Sequence, residues 1–161
     1  MNASPDAIVC VSPEGLITGW NPASEHLFGY VMGELKAKPL ADLIPLNHRA
    51  NEGLEMMAVL DSGEPRYFES GRIGKDGFYF PVACTVSPIR DEHGDIIGLV
   101  NVTRDIAELR RQRTALENSE STMRATMENA PIGMALMSPS GRWLRFNAAL
   151  CELLGYDEAQ L

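Results

Sequence analysis

The feature that most constrains this chain is a repeat within it. Residues 5–35 align without a gap to residues 131–161, a shift of 126 positions. Pro5 falls on Pro131, Ser12-Pro13 on Ser138-Pro139, Gly15 on Gly141 and Asn21 on Asn147. Ala23 then falls on Ala149, Leu27 on Leu153, Gly29-Tyr30 on Gly155-Tyr156 and Leu35 on Leu161. Where identity is lost, type is kept, as with Ile17 against Trp143 and Trp20 against Phe146. Chance does not produce so many matches in one frame, and a period this long means tandem domains, not a solenoid of short repeats. The second copy stops after 31 residues. The chain therefore reads as a complete domain over 1–105, a connector over 106–127 and the opening of a second domain over 128–161, cut from a longer protein.

Composition excludes several partners. A net charge of −8 disfavours nucleic acid, whose phosphates call for clustered Lys and Arg. No apolar run approaches the roughly 20 residues of a membrane helix, and no basic segment precedes an apolar one as in a signal peptide. No membrane contact is expected in this segment. Cys10, Cys84 and Cys151 are odd in number and far apart, which suits a reducing cytoplasm better than a disulfide scaffold.

Along the first copy, Ile8–Val11 is a short apolar run closed by the turn Ser12-Pro13-Glu14-Gly15, and Leu16–Trp20 answers it as a second strand. Asn21 is placed to cap the next helix, with Pro22 at its first position. Asn47–Leu60 carries Leu54 and Met57 at helical spacing and stops at Ser62-Gly63. Tyr67–Ile73 and Phe78–Ile89 are strands around an Asp76-Gly77 turn, and Ile96–Val102 is the last. Two strands, several helices, then three strands predict an α+β domain on an antiparallel sheet.

The first copy resembles a PAS domain of bacterial signalling proteins. The residues that carry this are Asp6-Ala7-Ile8-Val9, the run from Ile17 to Ala23, Leu27-Phe28-Gly29-Tyr30, Leu43-Ile44-Pro45 and His48-Arg49. Lys75-Asp76-Gly77 and the exit motif Val102-Thr103-Arg104-Asp105-Ile106 complete them. The second copy resembles the start of another PAS domain through Asn129–Met134 and Leu154-Gly155-Tyr156. The resemblance implies a five-stranded antiparallel sheet in the order 2-1-5-4-3, helices over one face around a pocket, and a C-terminal linker helix. It also implies that Asp105 ties the start of that helix to the domain core, although Ala107 stands where the family motif has Thr.

Asp105–Met127 contains no Gly or Pro and is rich in helix formers. Ile106, Leu109, Arg113, Leu116, Glu120, Met123 and Met127 recur at alternating spacings of three and four, the seam of a coiled coil. Glu108, Arg110, Arg111 and Glu117 flank it, suited to pairing across a dimer. A parallel homodimer through the PAS domain and this helix is expected, against the plainer reading of a solvated helix packed on its own domain. Asn21, Asp105, Ile106, Leu109, Leu116 and Met123 are the candidate relay residues.

Chemistry is scarce. His26, His48 and His93 are scattered, without a second ligand at metal spacing, and no phosphate loop, nucleophile elbow or His-Glu motif is present. Neither a metal nor a catalytic residue is expected in this segment. By the resemblance, a photochemical flavin requires a Cys that Ala37–Asp42 lacks, and haem requires a His where Glu52 stands. Redox FAD domains carry a Trp where Arg66-Tyr67-Phe68 stands, so FAD, or another small organic ligand, is only compatible with the sequence and no cofactor is predicted. Leu54, Met57 and Met56 are expected to face Phe80, Val82 and Cys84 across a candidate pocket, with Trp20, Tyr67 and Arg72 as its specificity residues. The alternative is a core filled by these side chains.

The expected function is a cytoplasmic relay that passes a signal through the connector into a second PAS domain and on to an effector in the same chain. The segment Ala130–Leu136 resembles those before diguanylate cyclase (GGDEF) domains, often accompanied by an EAL phosphodiesterase. The alternatives are the input region of a sensor histidine kinase in a two-component system, or a dimerisation scaffold without a ligand.

Overall fold

The computed structural model describes residues 6–155. Chain contacts divide it at Leu109 and Arg110 into two units.

The first unit is built on strands β1 (Ala7–Val11), β2 (Ile17–Trp20), β3 (Arg66–Ile73), β4 (Tyr79–Arg90) and β5 (Ile96–Asp105). They form one antiparallel sheet in the order β2-β1-β5-β4-β3, as expected. Between β2 and β3 lie α1 (Pro22–Phe28), α2 (Met32–Leu35), a 3₁₀ turn (Leu40–Leu43) and α3 (Leu46–Ser62). Local chemistry sets the boundaries. The Asn21 side chain accepts a hydrogen bond from the Ser24 amide, and Pro22 opens α1 without an amide to satisfy. Gly29 ends α1 with φ of 76°, a left-handed conformation that a Cβ would strain.

Strand alternation decides the core. Along β4, Val82, Cys84 and Val86 are buried while Ala83, Thr85 and Ser87 are only partly so. Val9, Val11, Ile17, Phe28, Leu43, Val59 and Leu99 complete the apolar interior. Trp20 stacks on Phe28 at 5.9 Å between ring centroids, and Phe80 follows at 6.1 Å.

The second unit contains most of α4 (Ala107–Glu128), the hairpin β6 (Ala135–Met137) with β7 (Trp143–Phe146), and α5 (Ala148–Leu154). Its hairpin repeats the first in detail. Val9↔Trp20, Cys10↔Gly19 and Val11↔Ile17 become Ala135↔Phe146, Leu136↔Arg145 and Met137↔Trp143, with the register irregularity at the same place. The turns match as well: the Gly15 amide donates to Ser12 O, and that of Gly141 to Ser138 O, each at 2.9 Å. Tyr156–Leu161, the last stretch of the sequence repeat, lies outside the described residues.

Candidate functional site

Under its helices the first unit holds a continuous polar network. Glu52 of α3 is 2% exposed and Arg72 of β3 is fully buried. They form a two-pronged ion pair, Arg72 Nη1 with Glu52 Oε1 and Nη2 with Oε2, the second at 3.0 Å. Ser70 donates its hydroxyl to the same carboxylate. Arg72 also donates to Gly71 O at 2.9 Å and to Cys84 Sγ at 3.3 Å. Cys84 Sγ lies 3.9 Å from Thr103 Oγ1, which donates to Asn101 Oδ1 at 3.1 Å. The chain of contacts therefore runs from α3 across β3, β4 and β5. Among the described residues, the buried donors Arg72 Nε, Asn101 Nδ2 and Trp20 Nε1 have no protein acceptor. Burial pushes the Cys84 thiol up, more than Arg72 draws it down, so Cys84 stays protonated at neutral pH and is a poor nucleophile.

The ion pair fixes which side of α3 faces in. Glu52, Met56 and Val59 fall one turn apart on the sheet-facing side. Leu54 and Met57 lie on the opposite side, 66% and 59% exposed, so they do not line the interior as the sequence reading expected. Tyr67 is corrected likewise. The inward residues of β3 are Phe68, Ser70 and Arg72, which leaves Tyr67 facing out at 67% exposure. Trp20, Arg72, Val82 and Cys84 are buried, and Phe80 packs against the core. A groove of about 410 Å³ between the end of α1 and the β3–β4 turn is lined by Phe28 and Phe80 among others. Glu52, the residue standing where a haem ligand would, is committed to Arg72. Among the described residues no three His, Cys, Asp or Glu side chains gather to hold a metal ion.

The exit of the domain is tied differently from the expectation drawn from the exit motif. Asp105 is exposed, and its Oδ1 accepts from the Ala107 amide at 2.7 Å, capping α4. The attachment to the domain comes from its neighbours. Ile106 is buried and donates its amide to Pro81 O at 3.1 Å. Arg104 grips Asp6 with both prongs, at 2.8 and 2.7 Å, joining the end of β5 to the start of β1. Asn21 donates to Asp6 O at 3.0 Å and accepts from the Ile8 amide at 2.9 Å. Beyond this point Leu109, Leu116 and Met123 recur every seventh residue on α4 and are 64%, 61% and 46% exposed.

A family model described as "PAS fold" matches residues 1–111. The chain belongs to the PAS family. A second model, "PAS domain", matches residues 110–161. The PAS domain of a Colwellia psychrerythraea protein superposes with a TM-score of 0.63 at 25% identity, covering 66% of this chain and 91% of that one. The PAS domain of an HTR-like protein from Haloarcula marismortui gives 0.56 at 22% identity, over 65% and 84%. Among curated proteins, the probable diguanylate cyclase DgcE of Escherichia coli is 44% identical over 52 residues, 32% of this chain and 5% of its own length. A probable serine/threonine-protein kinase of Dictyostelium discoideum is 26% identical over 88 residues, 52% of this chain and 6% of its own length. The chain thus spans about one-twentieth of the length of these relatives. Among the described residues no helix is long and apolar enough to cross a membrane.

Glu52 as a network member, with Ser70, Asn101 and Thr103, escaped the sequence reading. A signal existed: Arg72 shares its inward parity with Ser70, and a buried guanidinium demands a carboxylate. Replacing Glu52 with Ala strands that guanidinium and is expected to cost about 3–5 kcal/mol. The double replacement Glu52→Met with Arg72→Met is expected to fall within about 1 kcal/mol of wild type or above it. Urea unfolding of the variants measures both.

The hydrogen bond from Arg104 holds the Asp6 carboxyl below the usual carboxylate range, against the smaller opposing effect of burial. A lowered carboxylate pKa gives stability that is full above the unfolded value of about 3.9 and is lost as pH falls through the folded one. Arg104 is exposed, so solvent screening keeps that contribution small. In a carbon-detected NMR titration, Arg104→Gln is expected to return the Asp6 midpoint toward 3.9, roughly the ordinary value; an unchanged midpoint refutes the assignment.

Proposed function

We propose that this segment is a sensory relay in which the first PAS domain dimerises along α4 and passes a conformational signal into the second. The observation that carries this reading is α4 itself, an unbroken 22-residue helix. It starts on the anchored residue Ile106 and presents Leu109, Leu116 and Met123 in one exposed line. A heptad stripe of this kind is covered by the same stripe of a second copy in a parallel coiled coil. Arg113, a polar residue of the seam, pairs on the helix surface with the flanking Glu117 at 2.9 Å, and a polar seam position sets register.

The effector we propose is a diguanylate cyclase further along a longer parent chain, with an EAL phosphodiesterase as its frequent companion and the cytoplasm as its compartment. The 44% identity to the probable diguanylate cyclase supports this over a histidine kinase. The parent, not this segment, is then the enzyme. The stimulus we propose is a small organic ligand with acceptor groups, received in the first domain's interior. Support comes from Arg72 Nε, Asn101 Nδ2 and Trp20 Nε1, buried donors without a protein acceptor among the described residues.

Sedimentation of the chain at 5–100 µM, on the order of concentrations that reveal weak coiled coils, is expected to show a dimer that Leu116→Glu with Met123→Glu converts to monomer. A strict monomer throughout sinks the relay. Native mass spectrometry of the freshly purified chain separates sensor from scaffold. A stoichiometric non-covalent adduct supports reception, while an apo mass with no thermal shift across a metabolite panel leaves a scaffold.

A further inference from the structure

Asn147 uses every hydrogen bond that its amide can make. It is 3% exposed and stands at the head of α5. Its Oδ1 accepts from the Leu150 amide at 3.0 Å and the Met134 amide at 2.8 Å. Its Nδ2 donates to Ile132 O at 2.9 Å and to Met127 O at 2.8 Å. The first three bonds have counterparts in the first domain at the repeat shift. There Asn21 accepts from the amides of Ser24 and Ile8 and donates to Asp6 O. Those three belong to the fold of each copy: they cap a helix and bind it to the first strand.

The fourth bond runs to Met127, whose counterpart at the repeat shift, Met1, lies outside the described residues. Met127 lies in the last turn of α4, whose carbonyls have no partner along the helix. Its oxygen takes the Asn147 donor at 2.8 Å and, more loosely, the Ala130 amide at 3.4 Å. The Met127 side chain is 5% exposed, while Leu109, Leu116 and Met123 of the same helix are open. The end of the connector is therefore held by one buried apolar side chain and one buried amide. That amide is also the cap of α5 and the brace of β6.

We infer that Asn147 is the positioning residue through which the second PAS copy registers the connector helix. A rotation or slide of α4 displaces Met127 O, and Asn147 can follow it only by loosening its hold on α5 or β6. The regulatory half of this inference rests on the relay proposed above, while the clamp itself stands apart from it.

Two substitutions separate the clamp from the cap. Asn147→Ser and Asn147→Asp both keep an oxygen for the Leu150 amide, and both residues are good helix caps. Ionised Asp has no donor for Met127 O, and the serine hydroxyl, one bond shorter than the amide nitrogen, falls short of it. Hydrogen exchange by mass spectrometry on the 161-residue chain reads the result. Exchange over residues 124–130 is expected to rise at least tenfold, on the order of one lost buried hydrogen bond, with residues 148–154 within about threefold of wild type. Asn21→Ser serves as the control and is expected to leave 124–130 unchanged. Wild-type rates over 124–130 in Asn147→Ser overturn the clamp, as does an acceleration spread evenly over 124–155. Sedimentation of the same samples keeps the two readings distinct. A monomer with the exchange pattern intact removes the relay and retains the clamp, and an unchanged dimer with unchanged exchange removes the clamp alone.

Discussion

The ion pair between Glu52 and Arg72 governs the first domain, because a buried charge pair tolerates little misplacement. Taking a carboxylate and a guanidinium out of water costs several kcal/mol per ion, roughly recovered only when geometry and further hydrogen bonds are both good. Ser70 and the Gly71 carbonyl supply those bonds. The pair therefore fixes the rotation of α3 about its own axis. Rotating that helix to bury Leu54 and Met57 would carry Glu52 into solvent and leave Arg72 unanswered. An apolar interior would permit several helix rotations of similar energy, whereas this one admits a single arrangement. The same pair couples α3 to β4 and β5, since Arg72 continues to Cys84 and so to Thr103 and Asn101.

This explains where the sequence was legible and where it was not. The candidate pocket drawn from the sequence set Phe80, Val82 and Cys84 on one face of their strand, and turn chemistry at Gly15 and Asp76-Gly77 marked two hairpins. The order of the sheet came with the family resemblance. Helix α3 misled because its hydrophobicity is split between two faces. Leucine and methionine at helical spacing point to the core only when no stronger demand exists, and Glu52 made one. Tyr67 faces out because it sits one residue off the inward parity of Phe68, Ser70 and Arg72 on β3. At the exit, the motif drew attention to Asp105. The bonds that hold the domain instead lie on Arg104 and Ile106, whose partners Asp6 and Pro81 are distant in sequence and invisible to local pattern.

The two hairpins make a natural experiment. Thirteen side chains from Val9 to Asn21 correspond to Ala135–Asn147 at the repeat shift, and most have changed. Pairing register, its irregularity, the turn and the asparagine that braces the following helix are all unchanged. Backbone pairing and a few capping atoms set this shape, and apolar identity is free to drift within it.

The joining of Arg104 to Asp6 has a consequence for how such proteins arise. The chain begins and leaves the first domain on neighbouring central strands, with Ala7 paired to Thr103. A module whose two ends sit side by side at the middle of its sheet can be copied in tandem by a single gene duplication. No strand has to be threaded or surrendered to admit the new neighbour. Only the spacer between copies must be invented, and a helix that starts on a cap is a short invention. Growth by serial duplication, with each copy free to specialise, is written into the place where the polypeptide comes in and goes out.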